Sequence, residues 1–224
     1  MRILKVFLAL VLMLQLAAPL GICADDINVN LLLQETQKRS EKSGEINFVW
    51  WIPEEYWRAS LAQNPATTPQ QVEAIVSVFK PYVVMAVVEG KVDAMGNITY
   101  SSEPDIRSKL QLIDSHGNRY LPLSEDGINI STKSFLAMMK PMLANILGPM
   151  GQNMYFYTFV AKDKNGVDIA DPRKEGSFSV RLGDKDFKWD LPLSSLVPEK
   201  ICPICKRKLN GTYKYCPFDG TPLP

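Results

Sequence analysis

Three cysteines and one aspartate near the end of the chain are the residues whose types and spacing best suit chemistry. Cys202-Pro203-Ile204-Cys205 and Cys216-Pro217-Phe218-Asp219-Gly220 are matching knuckles of the form C-P-x-C and C-P-x-D-G. Thiolates and carboxylates both ligate divalent metals. Leu209-Asn210-Gly211-Thr212 between the knuckles reads as a hairpin turn that folds the second back on the first. That arrangement brings Cys202, Cys205, Cys216 and Asp219 to one point.

Over residues 200–222 this pattern resembles the zinc-ribbon family, in which paired C-x-x-C knuckles on a hairpin hold one structural zinc. The resemblance implies that Cys202, Cys205 and Cys216 are thiolate ligands of one structural zinc, with Asp219 in the place of the fourth cysteine. A carboxylate can ligate zinc at about 2.0–2.2 Å, although it makes the site less soft. The plainer reading of Asp219 is an Asp-Gly turn, with water as the fourth ligand. Three thiolates and a carboxylate around a divalent ion leave a formal charge of about −2, which Lys206, Arg207, Lys208 and Lys214 can offset. The basic run is then explained by the cluster rather than by nucleic acid.

Two other readings of these cysteines stand beside the metal. Cys-Pro-Ile-Cys is also the form of a thiol–disulfide redox pair, but such a pair is activated at a helix N-terminus, and here a basic segment and an Asn-Gly turn follow. A structural disulfide suits an oxidising compartment, yet three cysteines downstream of Cys23 would leave one thiol odd.

The compartment is read from the first residues. Arg2 and Lys5 precede an apolar run from Val6 to Ala18, interrupted only by Gln15; Pro19 and Gly21 then break it, and Ala24 precedes Asp25. This is the layout of a secretory signal peptide over residues 1–24, and the run is shorter than the roughly 20 residues of a membrane span. The rest is therefore expected to be periplasmic or extracellular. Leu20-Gly21-Ile22-Cys23 also loosely matches a lipobox, so a lipoprotein anchored at Cys23 is the alternative. Arg2 and Lys5 are two of the 25 basic residues, against 24 acidic, so the chain from Asp25 onward is close to neutral. Such a balance offers no electrostatic case for nucleic acid or an anionic membrane.

Elsewhere the candidates are weaker. His116 is the one histidine and sits in a hairpin turn, so neither a His-rich metal centre nor a Ser-His-Asp set is expected. Asp163, Asn165 and Asp168 lack the twelve-residue calcium-loop pattern. Glu54 and Glu55 are adjacent and diverge on a helix. Met138, Met139 and Met142, with Met150 and Met154, are either core or a soft copper(I) site. Alternation along a strand puts Trp50 and Trp51 on opposite faces, so at most one of them need lie in the core; the other either marks a binding surface or packs under the neighbouring helix, and burial is the favoured reading.

These groups must be carried by a scaffold of the α+β class. Asn28 to Lys42 reads as a helix, Ile46 to Ile52 as a buried strand, and Pro53 opens a second helix with Glu54 and Glu55 in its first turn. Thr68-Pro69-Gln70-Gln71 is a capping box for a third. From Tyr82 the pattern becomes strands: Tyr82–Glu89 and Ile98–Tyr100, Ile106–Ile113 and Arg119–Leu123, Met154–Ala161 and Val167–Ala170, then Phe178–Leu182 and Phe187–Leu191. Asp-, Asn- and Gly-rich turns separate them, which favours an antiparallel β-sandwich-like body. Thr132 to Leu147 is an inserted helix, kinked at Pro141. The expected organisation is a body over residues 25–195 and a zinc-ribbon tail over 200–224, with Pro192 to Lys200 as linker. The functional expectation is a non-enzymatic binding or assembly protein with a protein partner. A redox protein using the Cys202–Cys205 pair and an exported copper-binding protein are the alternatives.

Overall fold

The computed structural model describes residues 27–40 and 42–224; the expected signal peptide and Cys23 lie outside them. In chain order the elements are α1 (Val29–Thr36), β1 (Gln37–Arg39), β2 (Glu45–Trp51), α2 (Glu54–Ala62), α3 (Pro69–Ser77), β3 (Tyr82–Val92), β4 (Ile98–Tyr100), α4 (Glu103–Lys109), β5 (Leu110–Ile113) and β6 (Arg119–Tyr120). There follow α5 (Ile130–Leu147), α6 (Pro149–Gln152), β7 (Tyr155–Val160), β8 (Gly176–Leu182), β9 (Lys185–Leu191), β10 (Lys200–Ile201) and β11 (Lys208–Leu209). The class is α+β, and all strand pairs are antiparallel.

β3 is the spine of the first sheet. One edge pairs with β2, which pairs in turn with β1; the other edge is divided, Tyr82–Val87 pairing with β7 and Gly90–Val92 with β4. The second sheet runs β6-β5-β8-β9. Val49, Trp51, Met85, Tyr157 and Phe159 of the first sheet meet Leu112, Phe178, Val180 and Trp189 of the second in one buried cluster. Phe178 stacks on Trp189 with centroids 5.0 Å apart, and Trp51 meets Phe178 edge-on at 4.8 Å. The opposite face of the first sheet, with Phe48, Trp50, Val84 and Ala86, is covered by Trp57 of α2, Val72 and Val76 of α3, and Leu136 and Leu143 of α5.

This layering decides the reading of the tryptophan pair in favour of burial. Trp50 and Trp51 do point to opposite faces, but both faces are covered, and both rings are buried. Alternation reports which side a residue faces, not whether that side meets water.

Three elements differ from expectation for local reasons. α1 stops at Thr36, whose hydroxyl donates back to the Leu32 carbonyl at 2.8 Å, and Gln37–Arg39 continue as an edge strand. Charged Lys38 and Arg39 suit an edge that must not pair further, and they lie over the rings of Trp189 and Phe48. Ile106–Lys109 is helical, not extended. Ser102 caps α4, Pro104 sits in its first turn, and Glu103 and Asp105 precede Arg107 and Lys109 as the helix dipole favours. Ile106 and Leu110 are both fully buried, and their spacing of four fits a helix entering a strand as well as it fits a strand alone. Residues 167–170 form no strand beyond one bridge, Lys162 with Asp168. The expected helix from Thr132 begins at Ile130 and stays helical on both sides of Pro141.

Candidate metal centre

The tail is built from two copies of one backbone motif. β10 and β11 flank the first knuckle, and a bridge between Tyr215 and Pro222 flanks the second. In the first, the Cys202 N–H donates to the Arg207 carbonyl at 3.0 Å, and Lys206 N–H donates to the Cys202 carbonyl at 3.0 Å. In the second, Cys216 N–H donates to the Thr221 carbonyl at 2.8 Å, and Gly220 N–H donates to the Cys216 carbonyl at 2.9 Å. Lys206 and Gly220 both have positive φ, 59° and 73°. Cys202 therefore corresponds to Cys216, and Cys205 to Asp219. Asp219 stands where a fourth thiol would be because the backbone around it has the same hydrogen bonds, not because of sequence spacing alone.

The sequence reading placed a hairpin turn at Leu209–Thr212 to oppose the knuckles. Instead each knuckle is the turn of its own small antiparallel pair, and residues 210–213 join the two. Gly211 serves close approach here: a Cβ on it would lie 2.1 Å from the Pro198 carbonyl oxygen. Leu193 and Leu196 are buried with the body's core, and Ser194 and Ser195 donate their N–H groups to the Glu35 carboxylate at 2.7 and 3.0 Å. The segment leading to the tail is thus fastened to α1.

The ligand atoms of Cys202, Cys205, Cys216 and Asp219 all lie within 4.8 Å of one another, close enough to hold a metal ion. Cys205 Sγ is 3.7 Å from Cys216 Sγ, and Cys202 Sγ is 3.3 Å from Asp219 Oδ2. A disulfide needs about 2.05 Å between sulfurs, so the thiols are free. Cys202 and Cys216 are buried, Cys205 is half-buried, and Asp219 is at the surface. Around them the tail has only Leu209 and Leu223 as further buried side chains.

Electrostatics explain why such a cluster favours a cation. The Thr221 hydroxyl and N–H both bind the Asp219 carboxylate and hold it far below the usual carboxylate range, so it is anionic at neutral pH. For Cys202, burial pushes the thiol up, but the N–H groups of Cys205 and Ile204 outweigh it and the net direction is down. For Cys205 the Arg207 N–H lowers the value, yet burial and the neighbouring Cys202, Cys216 and Asp219 raise it to about 11. Neighbouring anions resist a further thiolate unless a cation binds among them. The basic residues act at longer range than the sequence suggests: Arg207 lies over the Phe218 ring at 4.0 Å and Lys208 is 3.5 Å from Glu199. Sequence reasoning missed Thr221, and nothing short of the knuckle geometry reveals it.

The other candidate residues are not drawn together. His116 lies exposed in the Asp114–Asn118 turn, whose Asp114 carboxylate accepts the N–H groups of His116 and Asn118 at 2.9 Å each. Asp163 closes a like turn onto Asn165 and Val167, while Asp168 faces Lys162 at 3.2 Å. Glu54 pairs with Arg58 at the surface, whereas Glu55 is buried with Arg173 at 3.2 Å, and burial raises its pKa. Met154 is core, Met139 and Met150 pack against the same cluster, and Met138 and Met142 are exposed, so the five are divided between interior and surface. Comparison with known proteins finds no matching family model, no similar curated protein and no similar solved structure.

Proposed function

We propose that the chain is an exported binding or assembly protein whose tail is folded around one structural zinc ion, held by Cys202, Cys205, Cys216 and Asp219. The observation that carries this is the backbone equivalence of the two knuckles, which presents four ligand atoms within 4.8 Å of one another in a unit with almost no core of its own. Thiolates at about 2.3 Å from a tetrahedral zinc stand about 3.8 Å apart, and a thiolate and a carboxylate oxygen about 3.6 Å. The Cys205–Cys216 separation of 3.7 Å and the Cys202–Asp219 separations of 3.3 and 3.7 Å fit that tetrahedron. Three sulfurs with one oxygen suit a borderline-soft ion better than magnesium or calcium. Such an ion binds, neutralises and orders the tail and leaves no ligand position for substrate, which makes the site structural.

The outer positions of the knuckles support a docking role for the tail. Ile204 and Phe218 occupy the same place in the two repeats and are 68% and 61% exposed. Export rests on the Arg2, Lys5 and Val6–Ala18 pattern. Anaerobic purification of the secreted form tests both halves: one zinc per chain, three thiols released only on chelation, and an N-terminus at Asp25. Absence of zinc with one free thiol would replace the ribbon by a disulfide.

A second reading, thiol–disulfide exchange, draws on the lowered Cys202 thiol beside a raised Cys205. Attack on a disulfide needs an accessible thiolate, and Cys202 has no exposed surface. Disulfide reductase activity that disappears in Cys205→Ala would reverse this ranking.

A further inference from the structure

Beside α5 a groove of about 640 Å³ opens between that helix and β7, far larger than a packing defect and in the range of small-ligand sites. Leu136 and Ala137 of α5, Ile128, and Tyr155 and Phe156 of β7 give it apolar walls. Two polar features remain unaccounted for. Thr158 is 2% exposed, lines the groove, and its hydroxyl has no hydrogen-bond partner. Its neighbours on that face of the sheet, Val84 and Ala86, are hydrocarbon. A buried hydroxyl with nothing to bind is costly, and a ligand atom in the groove would complete it.

The second feature is Lys140. Arg107 is held by Glu103 at 2.7 Å and by the Leu123 carbonyl at 3.1 Å, and Lys133 by the Glu125 carbonyl at 3.1 Å. Lys140 lies over the Tyr155 ring at 4.3 Å, and among the described residues no carboxylate pairs with it. Between Asp126 and Asp163 the sequence contains no acidic residue. Glu103 and Glu125 also line the groove, so its three cations, Arg107, Lys133 and Lys140, outnumber its carboxylates by one. Beyond Ala137 the same side of α5 continues to Pro141, exposed and uncharged like Ala137. Apolar walls beside a cation that no carboxylate pairs with are complementary to a molecule with an anionic head and a hydrocarbon chain.

We propose that this groove binds a single-chain anionic amphiphile, a carboxylate or phosphate head on an acyl chain. The head binds Lys140, with the Thr158 hydroxyl donating to it or to an adjacent ester oxygen, and the chain lies along Ile128, Leu136, Ala137 and Phe156. The site is independent of the tail and of its metal.

The test is titration of the protein from Asp25 onward with 11-(dansylamino)undecanoic acid, read by dansyl fluorescence. Saturable binding of one probe per chain is expected, displaced by dodecanoate or dodecyl phosphate but not by dodecanol or acetate. Lys140→Glu should weaken it by about tenfold or more, as expected for loss of a charge-assisted contact, while Lys164→Glu in an exposed turn leaves it unchanged. Thr158→Val should weaken probe binding yet keep or raise the melting temperature, because it removes an unpartnered hydroxyl. That opposite movement separates a ligand site from a folding defect. No saturable binding, equal displacement by dodecanol, or an unaffected Lys140→Glu variant overturns the proposal. Flotation with phosphatidylglycerol vesicles in the absence of probe binding also overturns it, in favour of a membrane-surface contact by α5.

Discussion

Between its two sheets and beneath its helices the body buries continuous hydrocarbon, from Leu32 and Trp51 to Trp189 on one side and from Phe48 to Met154 on the other. The tail buries Leu209 and Leu223, and otherwise its own cysteines. A large apolar side chain contributes about 1.5–3 kcal/mol when fully buried, so the body has ample means to offset chain entropy and the tail has almost none. With the proposed ion in place, the same polypeptide would be held by non-directional burial in one region and by directed ligand atoms in the other. The two should respond to different perturbations, and the sharpest way to break that view is to show that they do not.

If the tail holds the proposed zinc, removing the metal is its largest perturbation. Structural zinc contributes apparent binding energies of about 10–16 kcal/mol in small zinc-dependent units. Chelation, or Cys216→Ser, is expected to abolish amide-exchange protection over residues 200–224 while the thermal transition of the body stays in place. If the body's transition moved with the tail, the contact of Gly211 with Pro198 and the clasp of Ser194 and Ser195 by Glu35 would have to carry stability across the junction.

The reciprocal experiment is Trp51→Ala. Trp51 is 1% exposed and meets both Phe178 and Trp189 edge-on. Its truncation should cost the body about 3–5 kcal/mol in urea unfolding. Zinc stoichiometry should remain one per chain. Loss of the metal in this variant would mean that the tail folds only on an intact body.

What could be read from residues alone divides along the same line. The knuckles were legible because ligand type and spacing are local, and so were the Asp-x-x-Gly turns, where Asp93, Asp114 and Asp163 each bind two N–H groups nearby in sequence. The capping box at Thr68 and Gln71 is present as expected. The burial of Trp50 is favoured by its type and by the helix that follows it, but the residues alone leave a surface role open, because the full cover by α2, α3 and α5 arrives from elsewhere in the chain. α4 was misassigned although Ser102, Pro104 and the order of its charges marked a helix start, since buried Ile106 and Leu110 fit either period. At the site, the equivalence of Asp219 to Cys205 was legible as spacing, but its support by Thr221 was not. The groove at Lys140 and Thr158 needed two elements far apart in sequence to meet.

A smaller effect separates ligand from turn at Asp219. Asp219→Ala should weaken zinc binding by at least the order of 10- to 100-fold seen when a ligand's support is removed, measured by competition with a chromophoric chelator. Asp219→Cys should tighten it by supplying the softer ligand that the backbone already accommodates. Unchanged affinity in both variants would leave Asp219 as a turn residue only. Neither change should alter the body's unfolding.

Acid provides the finest discrimination, since each group involved is individually modest. Hydrogen bonds from Lys42 and Lys185 lower Glu45 to about 2, and turn hydrogen bonds lower Asp93, Asp114 and Asp163 below the usual aspartate value. For Asp114 burial opposes this and is outweighed by Asn118 and Tyr120. A carboxyl whose folded pKa is depressed stabilises the fold above its unfolded pKa and loses that contribution as pH falls through the folded value. These groups should therefore leave the body's stability intact down to about pH 5 and remove it progressively between about pH 4.5 and 2, while Glu55, raised by burial, adds a small opposing gain as it protonates. The tail should fail earlier. Its thiolates must be deprotonated to bind metal, so protons compete for Cys202, Cys205 and Cys216 at a pH where the body's carboxylates are still ionised. Zinc release monitored beside body tryptophan fluorescence should give two separate acid transitions, the metal leaving first. A single coincident transition would show that the two regions are held as one.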